Sequence, residues 1–136
     1  MLAAMPLMLV PLIAFNLYAF GVGTTTEGDP WALALFSTEM LSGALFSLRA
    51  GDLLVIGGVA VLFAEILKAT RTGSATLTDH LLSMLVFVAF LVEFLVVPAA
   101  AHSVFLILTV IAFIDVVAGF SISITAARRD VGFTRD

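Results

Sequence analysis

The sequence predicts an all-α polytopic membrane protein, an antiparallel bundle of four transmembrane helices plus one interfacial or re-entrant helix. Of its 136 residues, 62% are hydrophobic and 12% are charged, whereas soluble domains are about 45–50% apolar and about 25% charged. Several apolar runs approach the roughly 20 residues that an α-helix needs to cross about 30 Å of hydrocarbon. A chain of this length has room for a single transmembrane domain, residues 1–136.

Composition excludes several function classes. The formal charge of -4 and the scattered basic residues provide no patch for nucleic acid. Because the chain has no cysteine, disulfides, iron–sulfur clusters and thiolate metal sites are excluded as well. Neither a P-loop nor a nucleophile elbow occurs, so we expect no enzymatic activity, and the sequence names no cofactor and no metal site.

The first predicted span covers residues 2–22, which are apolar apart from Asn16 and Tyr18. A cleaved signal peptide is the alternative. However, the run lacks a basic n-region and is longer than a typical signal h-region, so we interpret it as a retained helix. Pro11 lacks the backbone N–H that a helix interior uses, which predicts a kink about one third of the way along.

The segment 30–48 is the ambiguous one. Asp29 and Pro30 provide a capping residue and a proline for a first helical turn, which predicts a helix start. The polar residues of the segment, with Glu39 at the centre, make insertion costly and scatter around a helical projection instead of sharing one face. We therefore expect a helix lying at or dipping into the outer interface. A fifth span stays open as the alternative.

The remaining predicted spans are residues 53–69, 81–98 and 103–126. The first of these is short, but Asp52 and Lys68 at its ends can lie at the two interfaces, with the lysine reaching outward. Small residues recur in the second and fourth of the four spans, and such stripes allow helices to approach closely. We therefore expect a homo-oligomer or a place in a larger membrane complex.

The basic residues predict the orientation in the membrane. In a four-span bundle, Lys68, Arg71 and three arginines of the C-terminal tail lie on one side, against Arg49 on the other. Positive side chains collect on the cytoplasmic side. The Lys68–Arg71 loop and the C-terminus are therefore expected in the cytoplasm, an arrangement that suits a bacterial inner membrane. A fifth span would move only the N-terminus to the outside.

Acidic residues inside the spans are the candidates for function. Glu93 and Asp115 are surrounded by apolar residues near the middle of their spans, and Glu65 lies nearer the cytoplasmic end. An ionised carboxylate at the bilayer centre costs about 2.5–3.5 kcal/mol on the insertion scale, so such residues face protein or water, or are protonated. Neither lysine nor arginine lies deep enough to neutralise Glu93 or Asp115, so we expect at least one of them to be protonated.

Two hypotheses follow. One is that the chain is a non-catalytic accessory or scaffolding subunit of a larger membrane complex. In that case the carboxyls hydrogen-bond between helices and fix their register. His80, at the cytoplasmic end of the third span, is expected to be an interfacial residue. The other hypothesis, which we rank first, is an oligomeric proton or cation channel or transporter. Its pathway would consist of intramembrane carboxylates and nearby polar groups: Asp115, Glu93, Glu65, Asn16 and His102.

Overall fold

The computed structural model of the protein describes residues 5–25, 27–71 and 76–132. Within these ranges four α-helices follow one another, and a β-hairpin stands between the first and the second. Short 3₁₀ turns occur at Val22–Thr25, Pro30–Ala32 and Pro98–Ala100. The main elements are α1 (Leu9–Phe20), β1 (Ala34–Glu39), β2 (Leu45–Arg49), α2 (Ala50–Arg71), α3 (Thr76–Val96) and α4 (Ser103–Gly132).

Three of the helices, α2, α3 and α4, are long and apolar enough to cross a membrane. The prediction of a helical bundle with helices of membrane-spanning length is thereby confirmed. Helix α1 has 12 residues, which is about 18 Å at 1.5 Å per residue. It is shorter than the predicted span 2–22, of which residues 2–4 lie outside the described part of the chain.

The predicted kink at Pro11 is wrong, because the helix starts later than the apolar run. Helix α1 begins at Leu9, so Pro11 is its third residue. The backbone N–H groups in the first turn of a helix have no intrahelical partner, and proline is tolerated there without loss of a hydrogen bond. Pro11 is buried and lies in the turn that starts the helix.

The expected helix over 30–48 is also wrong, because most of this segment forms a hairpin. Asp29 accepts a hydrogen bond from the backbone N–H of Trp31, as a helix N-cap does, but the helical turn ends at Ala32. Strands β1 and β2 then pair antiparallel, and Gly43 has φ +80 in the turn that joins them, a conformation that glycine adopts without steric cost. Ser42 and Gly43 at the turn divide the segment into two short runs, each of ordinary strand length.

Glycines bring α2 close to α4, which packs against both α2 and α3. A Cβ at Gly51 would lie 2.6 Å from Val104 Cγ2, and a Cβ at Gly58 would lie 2.7 Å from Leu108 Cδ2. Both glycines and Glu65 recur at a spacing of seven residues, which keeps side chains on one helix face. The two helices therefore run parallel and in contact along a face that leads to Glu65.

Aromatic side chains fill the bundle at the end that carries the hairpin. Phe15 of α1 stacks on Trp31 with ring centroids 4.6 Å apart and meets Phe105 of α4 edge-on at 4.6 Å. Phe90 of α3 lies 5.4 Å from Phe105. Apart from Trp31, which is slightly exposed, these rings are fully buried. Packed aromatic rings therefore occupy the centre of the bundle at the hairpin end. We call Phe15, Trp31, Phe90 and Phe105 the aromatic cluster.

Candidate functional site

A polar cavity lies between α2, α3 and α4, in the half of the bundle away from the hairpin. The space available to the centre of a water molecule is about 20 Å³, against the roughly 10–15 Å³ that one water requires by that measure. The cavity therefore has room for a water. Its polar side chains come from the last two turns of α2, the first two turns of α3 and the middle of α4: Glu65, Lys68, Asp79, His80, Ser83 and Asp115.

Glu65 connects the cavity to the start of α1. Its side chain is buried, its Oε1 accepts a hydrogen bond from the backbone N–H of Leu7, and its Oε2 lies 3.5 Å from Lys68 Nζ. Lys68 Nζ in turn donates to the carbonyl oxygen of Met5 at 3.0 Å. Because Met5 and Leu7 directly precede α1, this ion pair attaches the beginning of α1 to α2.

Asp115 lines the cavity from α4 and is 7% exposed. It is twelve residues beyond the start of α4, or about 18 Å along the helix axis. Ser83 of α3 hydrogen-bonds to its carboxyl, and Glu65 and Lys68 lie close enough for their charges to act on it. The close contact of α2 with α4 thus brings two carboxyls from distant parts of the sequence into one space.

His80, near the start of α3, is buried and forms part of the cavity wall. The ring is 7% exposed, its Nε2 shares a hydrogen bond with the Ser123 hydroxyl of α4, and it packs at 5.4 Å from the ring of Phe120. A Cβ at Gly119 would lie 2.6 Å from Nδ1 of the imidazole, so the absence of a side chain there makes room for the ring. An imidazole is therefore fixed beside the acids.

Asp79 adds a carboxyl oxygen without a protein partner. Its Oδ1 is buried and has no hydrogen bond within the described residues, and buried oxygens of this kind are normally satisfied by a water or a proton. Across the described ranges, no three His, Asp or Glu side chains converge closely enough to hold a metal ion. The cavity thus combines ionisable side chains with space for a water.

Three of the predicted pathway residues lie elsewhere. Glu93 is partly exposed on α3, and its Oε1 is buried without a hydrogen-bond partner among the described residues. Asn16 donates to a carbonyl of its own helix at 3.0 Å. His102 Nε2 lies 3.2 Å from Asp29 Oδ2 at the hairpin end. Of the five predicted pathway residues, the structure brings together two, Glu65 and Asp115.

The sequence interpretation missed the contribution of α3 to the cavity. Asp79, His80 and Ser83 stand at the start of a span, where polar residues are ordinary. A signal was nevertheless present: His80 and Ser83 are three residues apart, and Val86 and Phe90 continue the same helix face at three- and four-residue spacing. Because Val86 and Phe90 are buried, the polar residues that begin this face are buried with them.

Comparison with known proteins adds no relative to this picture. No protein family, curated protein or solved structure matches the chain. Any function proposed for the site therefore depends on its own residues: two buried carboxyls, a buried imidazole and a lysine around a space that admits water.

Proposed function

We propose that the protein translocates protons across a membrane, with Glu65 and Asp115 as the groups that carry the proton. The observation that supports this is the shared cavity, in which two buried carboxyls lie beside His80 and a space for water. Protonatable side chains inside membrane helices commonly belong to proton relays. Multivalent cations are a poorer candidate, because the described residues offer no set of three acidic or histidine ligands.

Proton binding at Glu65 is coupled to the position of α1. A neutral Glu65 attracts Lys68 less and is a weaker acceptor for the Leu7 N–H, because charge-assisted hydrogen bonds are about twice as strong as neutral ones. Those are the contacts that hold the start of α1. A single proton shared between Glu65 and Asp115 also relieves the repulsion of two like charges. Protonation therefore loosens α1 at this end.

Passage through the other half of the bundle requires the aromatic cluster to open. Phe15 is the part of the cluster that belongs to α1, and it is fully buried against Trp31 and Phe105. A shift of α1 moves Phe15 together with Leu7, so loosening at Glu65 is transmitted along one short helix. In this mechanism α1 alternately closes and opens the route beyond the cavity.

The proposed topology has four spans, with the cavity opening to the cytoplasm. Lys68, Arg71 and Arg128 lie at the cavity end of the helices, whereas Arg49 lies at the hairpin end, and positive residues favour the cytoplasmic side. A reporter enzyme fused after the last residue is expected to be active only in the cytoplasm. Activity on the opposite side of the membrane would overturn this orientation.

The test of the proposed function is proton flux in proteoliposomes that contain a trapped pH indicator. We expect Asp115→Asn and Glu65→Gln to insert and assemble normally but to lose most of the flux, because an amide keeps the shape and removes the exchangeable charge. Glu93→Gln is the matched control, since Glu93 lies on α3 outside the cavity. Wild-type flux in both cavity variants would contradict the proposal. Loss of flux in Glu93→Gln would extend the pathway to Glu93.

A second function is favoured by the partners that the buried groups already have. Glu65 pairs with Lys68, Asp115 with Ser83, and His80 with Ser123, and such interhelical contacts are sufficient to fix helix register. On that basis the chain would be an accessory subunit of a larger membrane complex. Copurification in mild detergent separates the two functions: an accessory subunit comes with its complex, and a transporter comes alone or as a homo-oligomer.

A further inference from the structure

The hairpin presents one apolar face that no described part of the chain covers. In the register of β1 and β2, Phe36 lies opposite Leu48 and Thr38 lies opposite Phe46, and these four alternate positions share one side of the sheet. Phe36 is 57% exposed and Phe46 is 46% exposed. We call these four residues the apolar hairpin face. Leu41, at the turn, is fully exposed.

The opposite face of the same hairpin is polar near its centre. Ser37 lies opposite Ser47, and their hydroxyls are 2.8 Å apart. Glu39 stands on this side two residues further along β1, opposite the exposed Leu45, and Arg49 stands on it at the base of the hairpin. The hairpin is therefore amphipathic across its thickness. A two-stranded sheet is only marginally stable in water on its own, so the apolar hairpin face requires a surface to rest on.

The position of the hairpin identifies that surface. Strand β2 ends at Arg49 and α2 begins at the next residue, while the Ala50 N–H donates to the carbonyl of Leu33 at 2.9 Å. The hairpin base is thus fixed to the first turn of a helix that is long and apolar enough to cross a membrane. There is no linker that would carry the hairpin away from the bilayer.

The apolar hairpin face also continues into the outer surface of α2. Leu35 is the extra residue of the bulge between Ala34 and Phe36, and a bulge places two residues opposite one on the partner strand. Leu35 lines a groove together with Leu53 and Leu54 of α2. Leu53 is exposed on the surface that would meet lipid. The covering surface that is continuous with this side of α2 is the lipid itself.

We propose that the apolar hairpin face and Leu41 insert into the boundary between headgroups and acyl chains, in the leaflet at the hairpin end of the bundle. Aromatic and leucine side chains with polar groups on the opposite face are the composition of elements that lie in this boundary. Ser37, Ser47 and Glu39 would then point to water. The inference does not depend on proton translocation, since it concerns the other end of the molecule.

The experiment uses the absence of cysteine from the sequence. Single cysteines at Leu41 and Phe46 are labelled with an environment-sensitive dye, and Ser37→Cys and Ser47→Cys are the matched controls on the polar face. The full chain is placed in nanodiscs of phosphatidylcholine and phosphatidylglycerol that hold one copy each. Dyes at Leu41 and Phe46 should emit at shorter wavelength than dyes at the two serine positions. Lipids with a nitroxide near the headgroup should quench them about twofold or more, and should leave the serine positions unquenched.

Two results would overturn the proposal. Water-like emission without lipid quenching at both Leu41 and Phe46 would show that the face does not meet the bilayer. If the dye emission at Leu41 and Phe46 shifted to shorter wavelength only in nanodiscs that hold two copies, the face would be an interface between chains instead. Because Leu41 is fully exposed in the turn, its replacement leaves the strand pairing intact and keeps the test valid if Phe46→Cys disturbs the hairpin.

Discussion

Replacing Gly58 by alanine tests whether close helix contact assembles the polar cavity. The new Cβ would lie 2.7 Å from Leu108 Cδ2 and 3.5 Å from Ile111 Cδ1, and Leu108 is fully buried, so it has no open space to rotate into. Overpacking of this kind costs about 1–3 kcal/mol, while the change gains up to about 1 kcal/mol in helix propensity. We therefore expect a net loss of about 0–3 kcal/mol in the free energy of unfolding.

Gly57→Ala is the matched control, because a Cβ at Gly57 meets nothing within 4 Å. Both substitutions gain the same helix propensity, so the difference between them isolates the steric cost of about 1–3 kcal/mol. The assay is unfolding by SDS in mixed micelles, followed through the fluorescence of Trp31, the single tryptophan. Equal unfolding midpoints for the two variants would refute the close approach of α2 and α4. Adding Leu108→Val to Gly58→Ala should recover part of the loss, since it removes the crowded methyl group.

Three further variants test the core, the cavity wall and the hairpin end. Phe15→Ala should lower the free energy of unfolding by about 3–5 kcal/mol, because the ring is fully buried. The measurement is SDS unfolding monitored by circular dichroism, and a loss below about 1 kcal/mol would contradict the packing. Gly119→Ala should shift the imidazole NMR signal of His80, since the new Cβ would lie 2.6 Å from Nδ1; an unchanged signal would place the ring elsewhere. His102→Gln should cost less than about 1 kcal/mol in the free energy of unfolding, because its pair with Asp29 is partly exposed; a loss of several kcal/mol would contradict this exposed position.

The candidate site was predictable in part. Glu65 and Asp115 stand out in the sequence because a carboxyl in an apolar run is costly unless protein or water receives it. Glu93 stands out for the same reason, yet it lies outside the cavity. Position along a span gives the depth of a residue in the membrane, whereas the neighbour that its side chain meets depends on how the helices rotate against one another. His80 was missed because it lies near the end of its span, where polar residues are ordinary, although it shares a helix face with buried residues.

The hairpin was within reach of the sequence. Polar positions in the segment 30–48 do not share a helix face, which argues against an amphipathic helix. Ser42 and Gly43 form a dipeptide typical of turns, and Gly43 has the positive φ that the turn requires. The capping signal at Asp29 was real, but a cap starts a helical turn without determining how far the helix continues.

The sequence by itself determined the helices of membrane-spanning length and the acids within them, because hydrophobic length and the cost of an isolated charge are properties of a local stretch of chain. Only the tertiary structure decided where α1 starts, how it is held and which polar groups meet. The Glu65 carboxylate reaches a backbone N–H 58 residues away at Leu7, and His80 reaches Ser123 of α4, 43 residues away. Contacts over such separations depend on the packing of glycine faces between helices, which no local periodicity specifies.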